Sequence, residues 1–229
     1  MATQNSEDYL RCIFKLQTDA ADVPTSRIAA AMGVTQPSVT DMIQRLAGEG
    51  LLQYKRYGGV RLTKEGMKVA LRVTRRHRLW EMFLVRILDF TWDEVDEIAN
   101  LLEHATPPVL ESRIDALLGF PTVDPHGEPI PTKDGVVTEP ANIPLPYVQA
   151  NQSVIVVRVR DNPDALKQLA SLGIGLKKKL RVVSVAPFDG SMSARIGSKD
   201  VFLSKELASN VFVQPEKPEK TLKHGERKR

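Results

Sequence analysis

The chain has 229 residues, of which 42% are hydrophobic and 26% are charged, and its formal net charge at pH 7 is only +4. This composition is that of an ordinary globular protein with one large or two modest domains, and no apolar run reaches the ~18 residues that a membrane helix needs. A single cysteine, Cys12, rules out an internal disulfide, and residues 1–21 lack the basic start and apolar core of a signal peptide, so we expect a cytoplasmic protein.

The first third of the chain carries the pattern of a winged helix. Helices are predicted over residues 6–19, with a serine as N-cap, and over 26–33, and a third begins after Thr35. Two short helices joined through a glycine turn match the helix-turn-helix pattern. The following run LLQYKRYGGVRLT, residues 51–63, places a Gly-Gly pair between two strand-like segments, as in a β-hairpin. Helix, helix-turn-helix and hairpin in this order predict a winged helix.

The third helix exposes short hydrogen-bonding side chains that could touch base edges, and the hairpin carries basic residues that could meet phosphates. Residues 1–76 hold twelve Lys or Arg and seven Asp or Glu, a balance of +5 that exceeds the balance of the whole chain. Helix-turn-helix shapes also occur in proteins that never touch DNA, and a basic hairpin can be a solubilising surface, but this charge distribution favours DNA binding. The predicted DNA-contacting residues are Arg27, Gln36, Pro37, Ser38, Thr40, Gln44, Lys55 and Arg56.

Two further predicted helices carry polar side chains on one face. A helix over residues 92–105, with Thr91 as N-cap, places an Asp, an Asn, a Glu and a His at i, i+4, i+7 and i+8, and the basic helix over 64–88 places a His and a Glu at i and i+4. These oxygen and nitrogen donors suit a divalent metal, and Asp8 on the first helix offers another. The alternative is a solvated polar face that ends in a surface Glu-His pair. The six residues on the two later helices are His77, Glu81, Asp96, Asn100, Glu103 and His104.

A short amphipathic helix is predicted over residues 109–118. Together with the helix before it, this segment has more apolar surface than a small winged helix can cover. A homodimer interface is the simplest use for that surface.

The second half of the chain changes composition. Residues 120–147 are rich in proline and predict an ordered loop followed by a linker. Four strand-like runs and one helix, capped near Asn162, then predict a small β-barrel, and a charged tail with two prolines predicts disorder. The predicted domains are a winged helix at 1–74, a metal-binding and dimerisation domain at 75–140, a linker at 141–151, the barrel at 152–213 and a disordered tail at 214–229.

Six stretches of the first 131 residues match a known family in their letters, order and separations: SEDYLRCIFKL (6–16), RIAAAMGVTQPSVTDMIQRL (27–46), GGVRLTKEG (58–66), RRHRLWEMFL (75–84), LLEHA (101–105) and HGEPIP (126–131). By these stretches, residues 1–131 resemble the diphtheria-toxin-repressor and manganese-transport-regulator family of metal-dependent transcription factors. Residues 166–183, LKQLASLGIGLKKKLRVV, look like the small SH3-like barrel of that family, a fold shared with ferrous-transport accessory proteins. The resemblance implies a mainly α protein with β structure: an N-terminal winged helix-turn-helix, a helical dimerisation domain and a C-terminal SH3-like barrel.

The resemblance also implies two metal sites. Asn100 stands where relatives carry Cys or Glu, and Arg11 stands where one bacillus-type subgroup places a Glu ligand, so the tightly spaced two-metal cluster of that subgroup is not expected here. An aspartate at position 124 takes a place that is Cys in some relatives. A carboxylate oxygen in place of a sulfur makes the secondary site a harder donor set. The implied primary site uses Asp8, Asn100, Glu103 and His104, with His77 close by. The implied secondary site uses Glu81, Asp96, Asp124 and His126, with Asp161 from the second domain.

The donor types predict the metal and weigh against other functions. Carboxylate and amide oxygens with one imidazole, and without a thiolate, suit Mn(II), with Fe(II) also able to act. Cys12 lies one turn after Asp8, but a lone helical cysteine is more often a core residue than a ligand. A metalloenzyme could use similar residues, yet no candidate nucleophile or oxyanion donor accompanies them; a metal-independent winged-helix DNA-binding dimer is the other alternative. We predict a metal-dependent regulator, not an enzyme, that binds double-stranded operator DNA as a homodimer and takes no small-molecule substrate.

Overall fold

The computed structural model describes residues 3–18, 20–55 and 58–216. The chain divides into two compact units, Met1–Glu139 and Pro140–Arg229. Arg56, predicted to contact DNA, and residues 217–229 of the tail, predicted to be disordered, lie outside the described residues. Within the described ranges, no helix combines the length and the apolar character that a membrane crossing requires.

The first part of unit 1 is the predicted winged helix. Each of its elements contributes to one apolar core, in which Leu10, Ile13, Ile28, Ile43 and Leu46 are fully buried. The spacing of these residues within each helix is the period of a helix that buries one face. The elements are α1 (Gln4–Gln17), α2 (Thr25–Met32), α3 (Gln36–Gly48), β1 (Leu52–Lys55) and β2 (Gly59–Leu62).

Helix α1 begins earlier than its predicted cap. Thr3, not Ser6, is the N-cap, because the Thr3 hydroxyl accepts a hydrogen bond from the Ser6 backbone N–H at 3.3 Å. Ser6 therefore lies inside the first turn of α1, where its side chain is buried.

Helix α4 (Lys64–Leu88) packs against α1, α5 (Val95–Glu103) and α6 (Pro108–Leu117). Helix α5 is shorter than predicted, because Thr91 does not cap it. The Thr91 N–H and hydroxyl instead donate to Oε2 of Glu94, at 3.0 and 2.6 Å, within a turn that precedes the helix. The polar face of α5 is kept, and His104 becomes its C-cap.

The start of α4 depends on a glycine. Thr63 caps the helix by accepting from the Gly66 N–H, and a Cβ at position 66 would lie 2.0 Å from the Leu51 carbonyl oxygen. Only a residue without a side chain allows this approach, so Gly66 holds α4 close against the segment before β1.

Unit 2 is an antiparallel sheet of six strands in the order β3-β8-β4-β5-β6-β7. Helix α7 (Pro163–Leu172) has the predicted cap, because the Asn162 side chain accepts from the Ala165 N–H at 3.0 Å. The segment 141–151, predicted as a linker, contributes the edge strand β3 and a 3-10 turn at Leu145–Tyr147. The other elements are β3 (Ile143–Pro144), β4 (Ser153–Val159), β5 (Lys179–Val185), β6 (Met192–Ile196), β7 (Lys199–Leu203), α8 (Lys205–Ala208) and β8 (Val211–Pro215).

Candidate metal centre and DNA interface

Three residues from two helices form a first cluster of metal-ligand atoms in unit 1. Asp8 comes from α1, and Glu103 and His104 come from the end of α5. Nε2 of His104 lies 2.8 Å from Oδ1 of Asp8 and 3.4 Å from Oε1 of Glu103. Glu103 is completely buried. The cluster brings together three of the four residues predicted for the primary site.

Glu7 adds a contact that the sequence analysis did not identify. Its Oε2 lies 2.9 Å from Nδ1 of His104, on the opposite side of the imidazole ring from Asp8. If the Nδ1–H group of His104 donates to Glu7, Nε2 is the unprotonated nitrogen of the ring. Its lone pair would then be available to a metal ion held beside Asp8 and Glu103. The available signal was the position of Glu7, directly before Asp8 in the first turn of α1.

Asn100, the fourth residue predicted for the primary site, forms a hydrogen bond with Arg11. Its Oδ1 accepts a hydrogen bond of 2.7 Å from Nη2 of Arg11, and Nε of the same guanidinium lies 3.3 Å from Oε1 of Glu103. Asn100 is on the predicted face of α5, and its amide oxygen is occupied by the guanidinium that also contacts Glu103. Its assignment as a ligand stays a prediction.

A second cluster lies next to the first and shares its environment. Nε2 of His77 is 3.3 Å from Oε1 of Glu81 and 3.3 Å from Oδ1 of Asp96. Nδ1 of His77 is 2.5 Å from Oε2 of Glu103, which joins the second cluster to the first. The sequence analysis placed His77 near the primary site and the two acids in the secondary site, whereas the three lie together here.

The charges of this cluster favour a proton on the imidazole. Burial by itself lowers the pKa of His77, but the negative charge of Glu81 and hydrogen bonds to two further carboxylates raise it well above its usual value. The hydrogen bond from His77 holds the pKa of Asp96 below its usual range, against burial. A metal ion in this cluster would therefore have to displace the proton on His77.

Glu81 also belongs to a third cluster, with Asp124 and His126. Nδ1 of His126 lies 3.7 Å from Oε1 of Glu81, and Nε2 of His126 lies 2.7 Å from the backbone oxygen of Trp92. His126 is completely buried, so it is not a surface histidine of the proline-rich loop. The third cluster contains three of the residues predicted for the secondary site.

The loop at residues 124–131 is held by Asp124. Its Oδ1 accepts from the backbone N–H groups of His126 and Glu128, at 2.8 and 2.9 Å. Burial, together with the charge of Glu81, raises the pKa of Asp124 to about 7, although Arg78 acts in the opposite direction. A cation bound beside Asp124 would lower this pKa and favour the ionised carboxylate.

The donor sets fit a divalent cation. Oε1 of Glu103 is buried and, among the described residues, accepts no hydrogen bond of normal geometry, although it faces Asp8 and His104. Each cluster offers carboxylate oxygens and one imidazole, with the ligand atoms within 4.8 Å of one another, which suits hard or borderline ions. Burial raises the pKa of the Cys12 thiol to about 11, so this residue does not offer a thiolate at neutral pH. Asp161 follows β4 in unit 2, and its place in the secondary site stays a prediction.

The predicted DNA-contacting residues lie on the helix-turn-helix and the hairpin. Thr40 is half-buried and its hydroxyl donates to the Gln36 backbone oxygen at 3.0 Å, so its donor is used inside α3. Arg45 extends from α3 toward α1, where its Nη2 donates to Oγ of Ser6 at 2.8 Å. Base and phosphate contacts of individual residues stay predictions. The exposed members of the predicted set are Arg27, Gln36, Pro37, Ser38, Gln44 and Lys55.

Three family models match consecutive parts of the chain. Residues 1–60 match the iron-dependent repressor N-terminal DNA-binding domain, residues 63–132 match the iron-dependent repressor metal-binding and dimerisation domain, and residues 143–215 match the FeoA domain. These models follow the order in which the winged helix, the clusters and the six-stranded sheet occur.

Similar proteins extend over nearly the whole chain. The iron-dependent repressor IdeR of Mycobacterium tuberculosis is 31% identical over 222 residues, which cover 91% of this chain and 96% of IdeR. A manganese-dependent transcriptional repressor solved in complex with manganese superposes with a TM-score of 0.86 at 39% identity, covering 92% of this chain and 100% of that one. ScaR with bound Zn2+ superposes with a TM-score of 0.81 at 33% identity, covering 93% of this chain and 100% of ScaR.

Proposed function

Because the chain belongs to the iron-dependent repressor family of metal-dependent, DNA-binding transcriptional regulators, we propose that Asp8, Glu103 and His104 hold the divalent cation that controls its binding to DNA. The family comprises regulators that dimerise and bind operator DNA, not enzymes. Exposed apolar side chains on and beside α5 and α6 support dimerisation here, since Leu101, Val109 and Leu117 are each more than 60% exposed in the single chain.

The observation that carries this proposal is that the first turn of α1 contacts both the end of α5 and α3. Glu7 at the end of this turn and Asp8 directly after it contact His104 at the end of α5, and Ser6 accepts a hydrogen bond from Arg45 of the recognition helix α3. A bound cation would neutralise the carboxylates of the first cluster and join α1 to α5. Ser6 lies in the same turn, so a movement of this turn also moves Ser6. The hydrogen bond between Ser6 and Arg45 then transmits the movement to α3.

Glu81, Asp124 and His126 support a second cation. Oδ1 of Asp124 is fixed by two backbone N–H groups, and the shared carboxylate of Glu81 connects this third cluster to His77. The oxygen-rich set again favours a hard ion over a soft one.

We propose that the physiological ion is Mn(II), with Fe(II) also able to act. The anions of the first cluster are Asp8 and Glu103, so their charge balances a divalent ion without a soft ligand. Fe(II) stands above Mn(II) in the usual order of affinities, so the selectivity proposed here depends on geometry and on metal availability.

Binding to the DNA upstream of its own gene tests this function. We expect the protein to bind that DNA only when Mn(II) or Fe(II) is added, and we expect Asp8→Met to need on the order of tenfold more Mn(II) relative to Fe(II), because a thioether replaces a hard oxygen. Gel shifts in metal titrations under reducing conditions measure both effects. Equal DNA binding with and without metal contradicts the regulator function, and an unchanged Mn(II) to Fe(II) ratio in Asp8→Met contradicts only the role of Asp8 in selectivity.

The path from the first cluster to α3 is tested by Ser6→Ala. We expect Mn(II) to bind this variant as it binds the parent, while the Mn(II)-dependent gain in DNA affinity falls on the order of tenfold, because Arg45 loses the nearer of its acceptors at the start of α1, the other being Oγ1 of Thr3 at 3.5 Å. Thr18→Ala is the matched control, since the Thr18 hydroxyl donates to the Lys15 backbone oxygen at the other end of α1. Full metal stimulation in Ser6→Ala, with the variant folded, contradicts this path.

A further inference from the structure

A permanently charged side chain, Arg11, lies beside the first cluster. The guanidinium of Arg11 donates to Oδ1 of Asn100 at 2.7 Å, and its Nε lies 3.3 Å from Oε1 of Glu103. The Arg11 side chain is 21% exposed, whereas the Glu103 side chain is 0% exposed. The buried carboxylate therefore meets a charge that can still move toward solvent.

The two oxygens of Glu103 have different partners. Oε2 lies 2.5 Å from Nδ1 of His77, and Oε1 lies between Arg11 and His104. A cation held by Asp8, Glu103 and His104 would use Oε1, because His77 engages the other oxygen. Arg11 and the cation thus require the same oxygen atom, and two positive charges cannot share it at low cost.

We propose that Arg11 is a built-in counter-ion of Glu103 that a metal ion must displace, and that this exchange sets the metal concentration at which the regulator responds. This inference rests on the proposed function, since it takes the first cluster as the metal site. Asn100 positions the guanidinium through the bond to Nη2 and keeps this bond as a pivot when Nε leaves Glu103.

The exchange predicts effects of opposite sign on two measurable quantities. Without metal, Arg11 compensates a buried carboxylate, so its removal lowers the stability of the metal-free protein. With metal, Arg11 repels the ion and competes for its ligand, so its removal strengthens metal binding. A salt bridge with a purely structural role would lower the stability without strengthening the binding of metal.

Arg11→Met removes the charge and keeps a side chain of similar length. We expect the Kd of the full-length protein for Mn(II), measured by competition with a fluorescent chelator, to fall about tenfold or more, and we expect the Tm of the metal-free protein to fall as well. The measurement is repeated in a His126→Ala background, which removes a ligand atom from the third cluster and leaves the first cluster intact. Lys68→Met removes one charge from an exposed position on α4, where Lys68 pairs with Glu65, and its Kd should stay within about twofold of the parent value.

Asn100→Ala is the second variant, and it keeps the test open if Arg11→Met fails to fold. As the pivot of Arg11, Asn100 should give tighter Mn(II) binding when it is removed. Weaker Mn(II) binding by Asn100→Ala would make it a ligand and overturn the positioning role, and unchanged or weaker binding by Arg11→Met would overturn the counter-ion. A parent protein that binds no Mn(II) contradicts the proposed function itself, so the two failures are distinguishable.

Discussion

A protein in which glutamine replaces Glu103 loses its response to metal: we expect Mn(II) to bind the first cluster on the order of 100-fold more weakly, and added Mn(II) to leave the affinity for DNA unchanged. Glu103 is completely buried, and its two oxygens face His77 and His104, so one side chain serves the first cluster and connects it to the second. Glutamine keeps the shape of the side chain but removes its charge, and its amide N–H2 group would face cationic partners. Chelator competition and gel shifts with Mn(II) measure the two losses.

His126→Ala is the control for this substitution, because it removes a ligand atom from the third cluster and leaves Glu103 intact. We expect this control to bind one Mn(II) fewer per protomer and to keep a metal-dependent gain in DNA affinity. Circular dichroism establishes that both variants are folded. If Glu103→Gln binds DNA at the same Mn(II) concentration as the parent, the first cluster is not the controlling site.

The sequence predicts the polar face of α5 well because helical spacing is rigid. Asp96, Asn100, Glu103 and His104 recur at i, i+4, i+7 and i+8, and such residues share one face in any regular helix. The winged helix was predicted for a related reason, since its glycine turns and apolar periods are local signals. The start of α5 was predicted three residues early, because Thr91 bonds Glu94 in a turn and does not cap the helix.

The spacing of residues along one helix does not predict which residues of other helices they contact. The meeting of Asp8 with His104 joins residues 96 positions apart, and it came from the resemblance to a known family. The grouping of His77 with Asp96 and the bond between Arg45 and Ser6 depend on how α1, α3, α4 and α5 pack, which no local pattern encodes. Polar residues near a helix end, such as Glu7, look the same in sequence whether they face solvent or a histidine.

The charge pattern of α4 shows the same limit. This helix is rich in arginine, yet Arg75 is buried. Its Nε donates to Oε1 of Glu111 at 2.9 Å, its Nη2 to Oδ2 of Asp115 at 2.6 Å, and its Nη1 to the Pro131 carbonyl oxygen at 2.8 Å. One guanidinium therefore ties α4 to α6 and to the end of the loop that carries the third cluster.

Arg75→Met should destabilise the metal-free protein by about 3–5 kcal/mol, because it leaves the buried carboxylate of Asp115 without its counter-charge and Glu111 with the longer contact to Arg76. Urea unfolding of the parent and the variant measures this difference. Arg76→Met is the matched control, since Arg76 reaches Glu111 from a less buried position at 3.3 Å, and we expect a loss of about 1 kcal/mol there. The triple variant Arg75→Met, Glu111→Gln, Asp115→Asn should recover part of the stability, because it removes the uncompensated charges together with the arginine. If Arg75→Met costs less than its control, the guanidinium is not what holds α6 and the loop against α4.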